Sequence, residues 1–369
     1  MLQGFLFHFE KPFCRNCLFL GFNLTDRMGN DTEPTIQERL FREIKLKVKE
    51  DNSFVHTIAE LLHVSYDSAY RRIRGEKIIS VDELYKLSKA FDISIDSLFE
   101  VKSGKTVFNS VSIEPGKITL KQWLEGILLN LQVLQADQTS QIIYAAKDAP
   151  FFHYFHIPEL AAFKMFFWEK TLFRFPGFEN KPFNLADTDD ELQAIGKKIL
   201  LAYTKINVTE IWNEDTFYII LRQLEYYYVA GFFKNKDDLD TLFDKLGLWI
   251  RHLEHQAEYG FQYYYGIPPN GVPGSFKLFE NEVVLNDNTV LMKTGEARMS
   301  FLTYNVINLL TTQDPDFCDK IEFFLDGVLQ KSTLISSSAA KARKRFFNQL
   351  INQVERFRVK LASIDPQQE

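Results

Sequence analysis

Helix starts crowd the segment from residue 35 to 101, too closely spaced for any helix within it to be long. Thr35 is followed three residues later by Glu38, and Ser80 by Glu83. This is the reciprocal side-chain and backbone pairing that opens a helix. Ser65 stands before "YDSAYRRI", and Ser94 opens "SIDSLFE" in the same manner. Gly75 supplies the left-handed residue that ends the third helix. Apolar residues recur at helical spacing between these signals: Ile36, Leu40, Ile44 and Val48 with Phe41 in the first helix, then Ile58, Leu61 and Leu62 in the second. Five short helices in fewer than seventy residues predict a compact all-helical domain over 35–101.

The stretch "SYDSAYRRIRGEK" at 65–77 concentrates positive charge in a chain whose net charge is −6. On a wheel of the third helix, Tyr66, Ala69 and Ile73 share one side, with Tyr70 at its edge. Asp67, Ser68, Arg71 and Arg74 share the other. A cation-bearing face of this kind suits a helix in a DNA major groove, where arginine reads guanine and aspartate accepts from cytosine. The plainer reading is an Asp67–Arg71 pair at i, i+4 on a solvated face, and charge alone favours it.

The order of the whole segment weighs the other way. "IAELLHVSYDSAYRRIRGEKIISVDELYKLSKAFDISIDSLFE" (58–100) resembles the phage-repressor and Cro-type (XRE-like) helix-turn-helix domains of bacterial regulators. The matching elements run in sequence: Ala59 at the helix crossing, the Val64-Ser65 turn, the recognition helix, Gly75, Leu84 and Leu87, and "ISIDSL". The resemblance covers about 65 residues and implies a helix-turn-helix fold that binds double-stranded DNA. It places Ser65, Tyr66, Asp67 and Arg71 at bases or adjacent phosphates, and Arg74 and Lys77 at the phosphate backbone; Ser68 lies on the same face. Periodicity, by contrast, turns Tyr66 partly inward. The family keeps an apolar residue three before the glycine, whereas this chain has Arg72, so Ile73 is expected to take the inward role.

At 369 residues, the chain has room for a second core. Its 35 phenylalanines, most of them beyond residue 105, predict a densely aromatic interior. The net charge excludes a uniformly basic nucleic-acid coat, though not a local DNA-binding face. Three cysteines (Cys14, Cys17, Cys318) are too few for a disulfide scaffold and point to a reducing, cytoplasmic setting. No apolar run reaches the length of a membrane span. Residues 1–34 carry no helical or strand pattern and are expected to be a disordered tail or an over-extended start, with Met28 an alternative first residue. The lone Cys14-x-x-Cys17 within them is a weak metal or redox signal.

Residues 105–369, following a linker at "VKSGK", are expected to be mostly helical. Amphipathic patterns begin at Thr119 and lie near 158–173, 188–206, 214–232, 237–262, 314–331 and 337–362. "KTVFNSVSI" and "QIIYAA" are candidate short strands. "FKLFENEVVL-ND-NTVLMKTG" reads as a β-hairpin with a two-residue turn. The fold class expected is mainly α, with a five-helix N-terminal domain and a larger helical domain bearing that small hairpin.

No catalytic, metal or cofactor signature survives inspection. Ser338-x-x-Lys341 and Lys293-Thr294-Gly295 occur in reversed order for a penicillin-binding pattern and lack its middle motif. His153-x-x-His156 and His252-x-x-His255 have metal-like spacing, but hydrogen-bonded histidines are the commoner outcome. The aromatic run 151–178 reads as helical core ahead of a ligand pocket, and "KARKRFF" at 341–347 as a solvated face ahead of a DNA contact. The expectation is therefore a DNA-binding, non-enzymatic transcription regulator, without cofactors. Its C-terminal region would form a homodimer and sense a peptide or small-molecule effector. The alternative is a DNA-recruited protein-interaction scaffold.

Overall fold

The computed structural model describes residues 34–48, 51–99, 106–111, 118–282, 287–295, 297–304 and 308–364. The N-terminal segment with Cys14 and Cys17, and the linker expected at 101–105, lie outside them. The described residues fall into two compact units, one ending at Val107 and the other beginning at Phe108.

The first unit holds helices α1 (Ile36–Lys47), α2 (Asp51–Leu62), α3 (Tyr66–Ile73), α4 (Val81–Ala90) and α5 (Ile95–Phe99). Capping boxes close at Thr35–Glu38 and Ser80–Glu83, and the Ser65 hydroxyl accepts the Ser68 amide at 3.3 Å. The turn from α2 to α3 is made by His63, at φ 53°. Its amide donates to Glu60 O, and the Val64 amide reaches back to Ala59 O, so two carbonyls at the end of α2 are satisfied. Leu40, Ile44, Ile58, Ala69, Leu87 and Leu98 meet in a common core.

The second unit is built on a mixed eight-stranded sheet, so the mainly α architecture with one small hairpin is wrong. Its strands are β1 (Asn109–Val111), β2 (Gln141–Ala145), β3 (Asn207–Trp212), β4 (Phe276–Glu280), β5 (Thr289–Thr294), β6 (Ala297–Tyr304), β7 (Asn308–Thr312) and β8 (Thr333–Leu334). They lie in the order β1-β7-β6-β5-β2-β3-β4-β8. β2, β3 and β4 run parallel, β5 to β7 form an antiparallel meander, and β1 and β8 close the two edges antiparallel. The expected hairpin does not exist. β4 pairs with β3 and β8, while β5 pairs with β2 and β6, so two strands lie between β4 and β5 in the sheet. The helical patterns read at 188–206 and 214–232 are separated by β3.

The helices follow the expected positions more closely: α6 (Leu120–Ala136), α7 (Pro158–Phe167), α8 (Asp190–Tyr203), α9 (Tyr218–Val229), α10 (Asp237–Tyr259), α11 (Pro315–Gln330) and α12 (Ala340–Ala362). Alternation along each strand divides them between the two faces of the sheet. Ile143, Ala145, Ile211 and Leu291 point to one face and pack with Cys318 and Leu325 of α11. Ile142, Tyr144, Val290 and Met292 point to the other, toward α6, a 3₁₀ turn at Phe151–His156, and α7. α7 runs on into a π-helical turn at Trp168–Leu172. Among the described residues no helix is long and apolar enough to cross a membrane.

Candidate functional site

Helix α3, its Ser65 cap and the turn after it carry all seven residues singled out from the sequence. Asp67, Arg71 and Arg74 lie on the exposed side, and Lys77 follows, also exposed, in the turn beyond Gly75. Tyr66 is 57% exposed, so the inward position suggested by the wheel is corrected: it belongs to the outer surface. Ser65 and Ser68 have structural duties. Ser65 caps the helix, and the Ser68 hydroxyl lies 2.6 Å from Arg72 Nη1.

Arg72 is the residue that orients the helix. It is only 5% exposed and points into the body of the unit, in the place expected for Ile73, which is half-buried. A buried guanidinium needs partners for its donors, and Arg72 has them. Nε and Nη2 donate to the two carboxylate oxygens of Glu83, at 3.2 and 2.7 Å, and Nη1 donates to Ser68 O at 3.1 Å. Glu83 closes the α4 capping box as well, so one carboxylate joins the start of α4 to the middle of α3. Hydrogen bonding from Arg72 is the main reason the Glu83 carboxyl is held below its ordinary pKa.

Gln37 of α1 fixes the far end. Its amide nitrogen donates to Arg72 O at 2.7 Å and Lys77 O at 2.9 Å, and its oxygen accepts the Ile79 amide at 3.1 Å. Gly75 permits the turn between them at φ 77°. Sequence reasoning missed both anchors. The one available signal was an arginine on the apolar side of a helix with a capping glutamate on the next.

The outer face is less self-compensated than the plainer reading requires. Asp67 and Arg71 do not pair, and Asp67 has no hydrogen bond or ion pair among the described residues. Arg71 and Arg74 both lean on Glu76, at 3.8 and 3.6 Å, contacts long enough and exposed enough to be weak. Arg74 also lies over the Tyr70 ring, 4.7 Å from its centroid. Arg71, Arg74 and Lys77 are therefore all exposed, and Glu76 is the carboxylate that the two arginines share.

The other candidates resolve differently. His153, His156 and His252 converge in the interior of the second unit, while His255 is exposed and apart. His153 Nε2 lies 2.8 Å from Glu210, which also accepts from the Tyr203 hydroxyl at 2.7 Å. Gln256 Nε2 bridges His156, His252 and Tyr263 O. Burial pushes the His156 and His252 pKa values down, His252 to about 4, so both are neutral. No group of three or more His, Cys, Asp or Glu among the described residues is placed to hold a metal ion. In 341–347, Arg343 is buried against Ile335 O, Lys344 faces Glu254 and Arg345 is paired with Glu280.

The chain matches no protein-family model, and comparisons with curated proteins and with solved structures return no significant match.

Proposed function

We propose that the first unit grips double-stranded DNA through α3, and that the chain is a one-component transcription regulator acting in the cytoplasm. The observation that supports this reading is the exposed, cation-bearing outer face of α3, whose arginines share only weak contacts with Glu76. Tyr66, Asp67, Arg71 and Arg74 project from a helix whose inner side is locked by Arg72–Glu83 and Gln37. Eight helical residues span about 12 Å, the width of a major groove. The resemblance of residues 58–100 to phage-repressor domains assigns the same face to the same task.

Charge sets how such a unit works. Residues 35–101 hold 11 Lys and Arg against 12 Asp and Glu, so attraction to DNA rests on the local cluster and not on net charge. Three cations neutralise few phosphates, which gives modest affinity for one copy. Two copies on neighbouring half-sites multiply it, and joining them is the role we assign to the second unit, together with sensing an effector.

Selection from a randomised duplex library tests the reading. The wild-type chain should enrich a defined sequence, and Arg71→Ala/Arg74→Ala should lose that enrichment. The slope of log affinity against log salt should fall by about 2 per copy in the variant. Glu76→Gln, which frees both arginines, should bind more tightly than wild type. Recovery of the same sequences with unchanged salt dependence by the double variant would sink the assignment.

A further inference from the structure

The second unit carries a partly open cavity of about 100 Å³ between the sheet and the helices on its aromatic side. One water needs roughly 10–15 Å³ by the same kind of measure, so the space suits on the order of eight to ten heavy atoms, one substituted ring. Strands β2, β5 and β6 form the floor through Tyr144, Val290 and Phe301. The roof is a triangle of rings, Trp123, Phe151 and Trp168, with centroids 5.5 to 6.0 Å apart. Trp168 opens the π-helical turn, a local departure from α geometry that recurs at ligand sites.

Two polar groups in this lining lack partners. The side chain of Asn130 of α6, a residue 8% exposed, makes no hydrogen bond to any described residue. The Tyr144 hydroxyl makes none either. Their polar atoms are not sealed from solvent, and both residues line the cavity, so each can meet a polar group that enters it. The charges at the rim, in contrast, are satisfied. Lys164 Nζ donates to Asp148 at 3.1 Å and to Gln223 at 3.1 Å, and Asp148 also accepts from the Tyr154 hydroxyl. The Asn288 oxygen accepts the amides of Lys147 and Asp148.

We propose that this cavity binds a small, uncharged, planar ring compound that carries an adjacent donor and acceptor, such as an aromatic carboxamide or a lactam. The ring stacks against the tryptophan–phenylalanine roof. The donor–acceptor edge meets the Asn130 carboxamide, which offers the complementary pair. A charged ligand is disfavoured because the nearby Asp148 and Lys164 already neutralise each other. The proposal deepens the sensing role assigned above to the second unit, and depends on it only for the consequence of binding.

The test uses the full-length chain with benzamide and 2-pyridone as probes, each at about 10 mM to suit the affinity of so small a ligand. Benzoate, benzylamine and cyclohexanecarboxamide serve as the anionic, cationic and saturated counterparts. The two neutral planar probes should raise the thermal midpoint by about 1–3 °C and alter tryptophan fluorescence, and the three counterparts should not. Asn130→Leu should keep the midpoint of the unliganded chain or raise it, yet weaken binding about tenfold. Absence of any shift, an equal response to benzoate or benzylamine, or undiminished binding by Asn130→Leu would overturn the proposal. Binding that leaves DNA affinity unchanged would establish the ligand class and remove the sensing role.

Discussion

Arg72 is buried and its partner Glu83 half-buried, and removing one strands the other. Arg72→Ala should destabilise the first unit by about 3 kcal/mol, seen as faster amide exchange along α3. Arg72→Leu/Glu83→Gln, which removes the charge from both sides, should recover most of that loss. The pair also makes a pH signature. The Glu83 carboxyl is depressed in the folded state, so its stabilisation is complete above the unfolded value of about 4.3 and is lost as pH falls through the folded one. The protection factors of the α3 amides should therefore fall below about pH 4 in wild type, and lose that acid dependence in the double variant. Little of this was legible beforehand. Periodicity treats arginine as an outward residue, and the partner that lets it turn inward sits eleven positions away on another helix.

At the scale of elements, caps and apolar periodicity are local signals, and they located the helices well. Thr35 and Ser80 each close the box read from their spacing, and Thr119, read as the start of a helix, closes a further one with Gln122. Strands gave a weaker signal because the sheet is covered on both faces. β5 is buried at nearly every position and shows no alternation, so it passed for half of a hairpin. β6 and β7 carry Ser300, Thr303, Thr311 and Thr312 among their apolar residues, which blurs the pattern further. Packing between elements also separates two glycines that look alike in the sequence. A β-carbon on Gly196 of α8 would fall 2.4 Å from the Phe155 ring, whereas one on Gly247 of α10 would meet nothing within 4 Å. Gly196→Ala should lower the thermal midpoint of the second unit, at about 1–3 kcal/mol. Gly247→Ala should raise it, by about 0.5–1 kcal/mol, as expected for alanine replacing glycine inside a helix.

The whole molecule joins two kinds of connectivity in one chain. The core of the first unit is drawn from residues 40 to 98, whereas the second ties Asn109 to Thr311 at one edge of its sheet and Glu280 to Thr333 at the other. Local contacts form quickly and distant pairings slowly. During synthesis the last strand, β8, follows the end of α5 by roughly 235 residues, on the order of 10 to 50 s at ordinary elongation rates. Nascent chains stalled beyond residue 150 should already resist proteolysis across α1–α5 while remaining cleavable in the incomplete sheet. The unit proposed to hold DNA would thus be finished well before the one proposed to regulate it. On that proposal each new chain would for that interval be an unregulated, single-copy binder, and its weak grip as a monomer would keep unfinished molecules from occupying sites meant for complete ones.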